Sequence, residues 1–511
     1  MYKDMKSRYL ILGLFVSLFF AGCSDWLDIN HDPDALETVP TADVLLPAAQ
    51  LGVANNLMGW HFGFGGGFWV QYWTQSYTAS QFKTLCEYQN QDFGVAYQSL
   101  MAEPLPDLRR IKAMTEGDDN KGYYFIAEAL SIFTWQIITD VWGDMPYSEA
   151  LRGDEAIYHP KQDKGQDIYA DLMKRIDELL KIDLSKSSIN GTQDVIFEGN
   201  LSKWYQFANA LKLKLMIRLS ETSGYSNANV LSFIQQADLL TTSAKIPGKM
   251  WDNNMNGKRH PMRAFQGGSA TYISTNVRAC KTIFDYLRLN SDPRQSKLFT
   301  GTRAPFFGDF DSKKDSEGSG TSDDKQSWAT IALTAFDDLM IMSAWEINFY
   351  VAEVYARAGN NDKAKEFYEA GVKASLAQHG ITNYGIIQTG YAVWKESTPE
   401  VVITQEDRIE QIAMQKWVAN CHYQHIEAFL ERNRTKYPSV SEMDIAANRQ
   451  SAWANFPTGY LTISVKGREL LGGNLPQSPQ YPEVYITRNI NHPEQKPNVG
   501  QKVWWNQKKG K

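Results

Sequence analysis

The chain has 511 residues, 43% of them hydrophobic and 22% charged, the balance of a globular protein and not of a disordered one. Its formal net charge of −6 argues against a nucleic-acid binder that works by phosphate neutralisation, and four cysteines in this length exclude a disulfide scaffold. What is in surplus is aromatic: 15 Trp, 25 Tyr and 24 Phe, with Trp at about double its usual share, which serves either a dense core or aromatic platforms for a ligand.

Lys3, Lys6 and Arg8 precede an apolar run over residues 9–21, which closes on Phe20-Ala21-Gly22-Cys23. That run is shorter than the roughly 20 residues a helix needs to cross a bilayer core of about 30 Å, so residues 1–22 read as an export signal. The small residues before Cys23 resemble a bacterial lipobox, which predicts cleavage and acylation at Cys23. Several acyl chains anchor a protein stably where a single one would not. Residues 23–40 are acidic and contain Pro33, and they read as a solvated tether between lipid and domain. Acidic residues directly after such a cysteine resemble the surface-export signal of Bacteroidetes lipoproteins, so the expected location is the outer membrane, lipid-anchored and facing the cell exterior.

From residue 41 to 511 the pattern reads as a single, mainly α-helical domain. Residues 45–140 have helical periodicity, interrupted by an aromatic, Gly-rich patch with twelve aromatics between Trp60 and Tyr97. Gly63-Phe64-Gly65-Gly66-Gly67 within it is not a dinucleotide fingerprint, because no strand leads in and the spacing is not G-x-G-x-x-G. Most of these aromatics, with Trp69, Tyr72 and Trp73 at i, i+3 and i+4, are expected to be core. Apolar residues then recur at helical period in pairs near 122–181, 202–240, 343–377 and 406–432. In the third pair Gly359 offers a C-cap and Asp362 an N-cap, and Ala352, Ala356, Ala364 and Gly371 let the two helices pack closely. Long insertions, 241–335 and 433–511, separate or follow these pairs. The first contains an Asp/Ser/Gly/Lys run over 309–325, read as a surface loop. Insertions of this length in a compact fold are commonly functional.

No H-E-x-x-H, Walker A, G-x-S-x-G or C-x-x-C pattern occurs, and no catalytic residue is assigned. Cys421, His422 and His425 could place metal ligands on one helix face at i and i+4, but flanking Trp417, Ile426 and Phe429 make the segment read as an ordinary half-buried helix. Asp252-Asn253-Asn254-Met255-Asn256-Gly257 opens like a calcium loop, yet its twelfth position, where a bidentate Glu belongs, is Arg263. No metal and no cofactor is therefore expected.

The ligand-binding candidates are Trp73, Tyr77, Trp251, Tyr272, Phe306 and Trp328, with Arg263 as a polar partner. Aromatic faces stack on the apolar faces of sugar rings or hold peptide side chains, and a few directional polar groups complete such a site.

Several segments in order carry a resemblance. Cys23 is followed by Asp25-Trp26-Leu27-Asp28-Ile29-Asn30. Further on come Thr139-Asp140-Val141-Trp142-Gly143-Asp144-Met145-Pro146-Tyr147 and a W-x-x-F-A-N-x-L pattern through Trp204, Phe207, Ala208, Asn209 and Leu211, closed by Arg218. Asp292-Pro293-Arg294, Glu353 in its Ala-rich hairpin, Gln415-Lys416-Trp417, Tyr481-Pro482 and Trp504-Trp505 follow. Together they resemble the SusD/RagB family of Bacteroidetes outer-membrane nutrient-binding lipoproteins, in its SusD-like branch. The resemblance implies a scaffold of four tetratricopeptide-like helical hairpins carrying a loop-rich, variable ligand-binding face. It implies no enzyme, but a lid on a SusC-like TonB-dependent transporter. The matching residues are structural, with Arg218 and Arg294 expected to pair with buried carboxylates. The function read from the sequence is capture of oligosaccharide at the cell surface for delivery to that transporter. The alternatives are capture of peptides by the same device, a purely structural transporter partner and a surface hydrolase.

Overall fold

In the computed structural model, which describes residues 41–76, 79–255, 257–264, 276–309 and 328–511, helices of eight residues or more carry the architecture. They are α1 (Ala42–Leu57), α2 (Gly94–Ala102), α3 (Pro104–Thr115), α4 (Gly122–Trp142), α5 (Gly165–Leu179), α6 (Leu201–Arg218), α7 (Asn227–Ile234), α8 (Lys281–Leu289), α9 (Ala344–Arg357), α10 (Asn361–Gln378), α11 (Gln405–Asn420) and α12 (His425–Thr435). Four successive hairpins pair α4 with α5, α6 with α7, α9 with α10 and α11 with α12. This is the mainly α, tetratricopeptide-like scaffold that the periodicity and the resemblance imply.

Local chemistry starts these helices where the side chains can satisfy free backbone donors. Asn200, Ser343 and Asn360 each accept from the backbone N–H three residues on, opening α6, α9 and α10. Thr404 and Asp407 form a reciprocal capping box on α11. Asn360, not Asp362, is thus the N-cap of α10, because the helix begins two residues earlier than the spacing suggests. Gly359, at φ +73°, makes the left-handed turn out of α9.

Among the described residues there are four two-stranded antiparallel ribbons: β1 (Trp73–Gln75) with β5 (Val277–Ala279), β2 (Met145–Pro146) with β3 (Gln162–Asp163), β4 (Ala244–Ile246) with β8 (Leu339–Met342), and β6 (Phe299–Thr300) with β7 (Thr330–Ile331), of which β1–β5 and β4–β8 tie the insertion 241–335 to the rest of the chain. In the aromatic patch, a π-helix over Trp60–Gly65 runs into a short helical turn at Gly66–Trp69. A Cβ on Gly66 would lie 2.7 Å from the His425 carbonyl carbon, and one on Gly67 2.6 Å from His425 Nδ1, so the glycines allow this turn to press on the start of α12. Trp69, Tyr72 and Trp73 are core, yet not one helical face. The chain leaves the turn at Gln71, φ +59°, and Trp73 belongs to β1.

Inside the scaffold lies a buried network of charges. The Arg218 guanidinium donates to Asp140 at 2.8 Å and to Glu427 and Glu431 at 2.6 Å each. Lys214 reaches Glu346 and Glu427 at 2.7 Å, Lys416 pairs with Glu431, and Arg434 reaches Glu353 at 2.6 Å and Glu431 at 2.7 Å. All of these side chains are buried. Arg294 pairs with Asp292 at 2.6 Å and reaches Gln415 at 2.8 Å, so residues of two quoted segments, Asp292-Pro293-Arg294 and Gln415-Lys416-Trp417, meet in the core.

The network makes stability sensitive to acid. Burial by itself would raise the Glu353 carboxyl, but Arg434 and Arg357 overcome it and bring it from 4.5 down to about 2. A depressed carboxyl stabilises the fold fully above its ordinary value and loses that contribution as pH falls toward its folded value. Chemical denaturation at pH 6 and at pH 2.5 is therefore expected to differ by about 3 kcal/mol on account of Glu353, and the difference is expected to shrink in Glu353→Gln.

Candidate functional site

The ribbon β1–β5 brings two distant stretches together, with Trp73 opposite Ala279 and Gln75 opposite Val277. Its register continues sideways: Ala279 N–H donates to Ala329 O at 2.9 Å, and Ala329 N–H to Arg303 O at 2.6 Å. The Thr74 hydroxyl accepts from Gly308 N at 3.1 Å, and Lys281 N–H donates to Pro305 O at 2.8 Å. Backbone bonding thus fixes Phe306 and Trp328 beside one another at the edge of the ribbon.

A third stretch completes the cluster. The short helix Arg449–Asn455, in the insertion 433–511, is tethered by a two-pronged contact of Arg449 with Asp309, 2.8 and 2.9 Å. It sets Trp453 5.4 Å from Phe306 and 6.3 Å from Trp328, with Phe456 5.1 Å from Phe306. Two cations lie over these rings, Arg303 4.3 Å from the Trp328 centroid and Lys281 Nζ 4.2 Å from that of Trp453. Phe306 and Trp328 are only 3% and 6% exposed, whereas Trp453 and Phe456 are half-buried. A cavity bounded by Gln75, Ser76, Arg278, Phe306, Asp309 and Trp328 holds only about 10 Å³, barely the size of a water site. What this arrangement offers is a surface: two half-open rings, Trp453 and Phe456, on a buried floor of Phe306 and Trp328, edged by guanidinium, ammonium and carboxylate groups.

Trp73 does not join it. Its ring is fully buried, edge-on to His425 at 4.6 Å and to Phe64 at 5.7 Å, and a ring with no free face offers nothing for a sugar to stack on. Trp251 is 7% exposed; its indole N–H donates to Asp337 O at 3.0 Å and its ring stands edge-on to His260. Arg263 donates to Leu333 O. Trp251 and Arg263 therefore brace a separate loop, around Asp337. Cys23, Tyr77, Tyr272 and the run over 310–325 lie outside the described residues. Trp453 and Phe456 were missed by sequence reasoning. Their i, i+3 spacing within a Pro- and Asn-rich insertion is the signal that could have found them.

The Cys421, His422 and His425 group is not one helix face. The helix breaks after Asn420, His422 takes φ +72°, and both ring nitrogens of His425 are engaged, Nδ1 with Gly63 O at 2.6 Å and Nε2 accepting from His422 N–H at 2.9 Å. In the stretch that opens like a calcium loop, Asp252 accepts from Asn254 N–H at 2.9 Å, forming a local turn. No group of three or more His, Cys, Asp or Glu able to hold a metal ion occurs among the described residues.

A family profile described as SusD-like, starch-binding and associating with the outer membrane matches residues 33–455. The chain belongs to the SusD-like family. The family consists of binding proteins, not enzymes. Solved structures with this fold include a chitin-binding protein, 21% identical with a TM-score of 0.69 over 91% of this chain and 100% of that one. A SusD homolog from Bacteroides uniformis is 20% identical, TM-score 0.67, over 91% and 99%. A chitin-binding SusD homolog from Flavobacterium johnsoniae is 18% identical, TM-score 0.68, over 90% and 98%. At these identities the likeness shows the fold alone. A search of curated proteins gave no match. Among the described residues, no helix of this SusD-like protein is long and apolar enough to cross a membrane.

Proposed function

We propose that this SusD-like protein is a cell-surface lipoprotein, anchored through Cys23, that captures oligosaccharide and delivers it to a SusC-like TonB-dependent transporter. The observation that carries the reading is that Trp453 and Phe456, half-open, sit on a buried floor of Phe306 and Trp328 supplied by a stretch more than a hundred residues away, edged by Arg303, Lys281 and the Asp309–Arg449 pair. Rings with adjacent charged hydrogen-bonding groups suit a sugar, whose faces are apolar and whose edges carry hydroxyls. The family's starch-binding description and the chitin-binding of two proteins of the same fold support a glycan ligand. Tyr77 and Tyr272, in stretches adjoining Ser76 and Asn276, are proposed to extend this face.

The test is intrinsic Trp fluorescence of the protein titrated with starch and chitin oligosaccharides, a panel of plant, host and microbial glycans, and a protein digest. Saturable quenching by one glycan class is the expected result. A response to the digest alone would replace the glycan with peptide, and silence throughout would leave a structural partner of the transporter.

A further inference from the structure

On the scaffold, at residues other than those of the aromatic face, lies a cleft of about 590 Å³ between α3, α4, α5 and the stretch from Tyr147 to Glu155. This is within the 300–1,000 Å³ of ordinary ligand sites. Helical spacing builds its walls: Leu105, Arg109 and Lys112 line up on α3, Ser131 and Trp135 on α4, and Asp167, Asp171 and Arg175 on α5. Tyr147 stands edge-on to Trp135 at 5.0 Å and is half-buried, so an aromatic ring borders the cleft.

The charges of the cleft are balanced. Four cations line it, Arg109, Lys112, Arg152 and Arg175, and four carboxylates, Glu155, Asp163, Asp167 and Asp171. The cations are already engaged. Arg175 grips Glu128 at 2.6 and 2.8 Å and donates to the Tyr147 hydroxyl at 2.7 Å. Lys112 reaches Glu128 at 2.6 Å, Arg109 reaches Asp154 at 2.9 Å and Arg152 reaches Glu155 at 3.0 Å. On the acidic side Asp171 accepts from Tyr147 and Asp163 from Ser148, while Asp167 has no side-chain partner among the described residues and is exposed. An anionic ligand would have to break one of these pairs and leave its partner uncompensated. A neutral polyol would not, since each hydroxyl both donates to a carboxylate lone pair and accepts from a guanidinium N–H.

We infer that this cleft is a second carbohydrate site, taking a short neutral stretch of the glycan whose capture is proposed above, and the inference rests on that reading. Two sites on one chain turn the second contact with a long polysaccharide into an intramolecular one, which raises retention on long chains without altering affinity for short ones.

The experiment uses the full chain in detergent and the variants Trp453→Ala, Asp167→Arg and the two combined. Each is titrated with maltohexaose, chitohexaose and the panel glycans, and assayed for retention on insoluble starch and chitin. Asp167 is exposed and without a side-chain partner, so Asp167→Arg is expected to keep the parent melting temperature while crowding the cleft with a fifth cation. It should lower retention on the insoluble polysaccharide tenfold or more and leave hexasaccharide affinity at the aromatic face unchanged. Trp453→Ala should leave weak residual binding that the double variant lacks. Parent-like retention of Asp167→Arg, or residual binding equal in Trp453→Ala and the double variant, would show that the cleft takes no glycan while capture at the aromatic face stands. If the parent binds no glycan at all, the capture reading falls and the second site with it.

Discussion

Arg218→Met is expected to destabilise the chain by about 3–5 kcal/mol, the usual result of removing one partner from a buried ionic cluster. The reason lies in what stays behind. Asp140, Glu427 and Glu431 all point at one guanidinium, and α4, α6 and α12 meet through it. Without it the three carboxylates keep only Lys214, Lys416, Arg434, Gln136 and the Tyr169 and Tyr350 hydroxyls. Burial makes every uncompensated charge expensive, because the interior cannot replace the lost hydration. Arg218→Lys retains one positive charge but not the three-way fork, so its loss should fall between the parent and Met. Guanidinium denaturation midpoints measure the series. A midpoint for Arg218→Met equal to the parent's would mean that the carboxylates are protonated or hydrated in the fold, and the network would lose its structural role.

Trp453→Ala is expected to weaken glycan binding roughly thirtyfold, the effect of truncating a hot-spot aromatic worth about 2 kcal/mol, with the melting temperature nearly unchanged. Trp453 is half-buried at the rim of its cluster, so its removal opens no closed cavity. Trp251→Ala is the informative contrast. That ring is almost wholly buried and hydrogen-bonded to the chain at Asp337, so its loss should lower the melting temperature through the cavity left behind and leave affinity near the parent value. Calorimetric titration and thermal melts of both variants separate the roles. If Trp251→Ala loses affinity at unchanged stability and Trp453→Ala does neither, the binding face lies near Asp337 and not at Phe306.

The hairpins could be read from the sequence because the information is local. Period-3.6 apolar residues over 343–377 mark both helices and Gly359 marks the turn between them; one misreading, Asp362 for Asn360 as cap, displaced the start of α10 only slightly. Arg294 finds Asp292 two residues back, and the pairing of Arg218 with buried carboxylates was legible because an arginine inside an apolar helical stripe has to find a counter-charge. Which carboxylates would answer was not, because Glu427 and Glu431 come from α12, more than two hundred residues on. The aromatic patch was legible only in bulk. Its Gly run could be read only as no dinucleotide fingerprint, and nothing local says that Gly66 and Gly67 press on His425.

By itself, then, the sequence determined the helical scaffold and the family, since periodicity, caps and ordered short motifs are properties of neighbouring residues. Only the tertiary structure decided which aromatics are walls and which are rim. Trp73 and Trp453 look alike as letters; β1 carries the first under α12, while the short helix Arg449–Asn455 sets the second at the open rim beside Phe306 and Trp328. Burial of a ring is settled by the surfaces that arrive from elsewhere in the chain, and no window of sequence contains them.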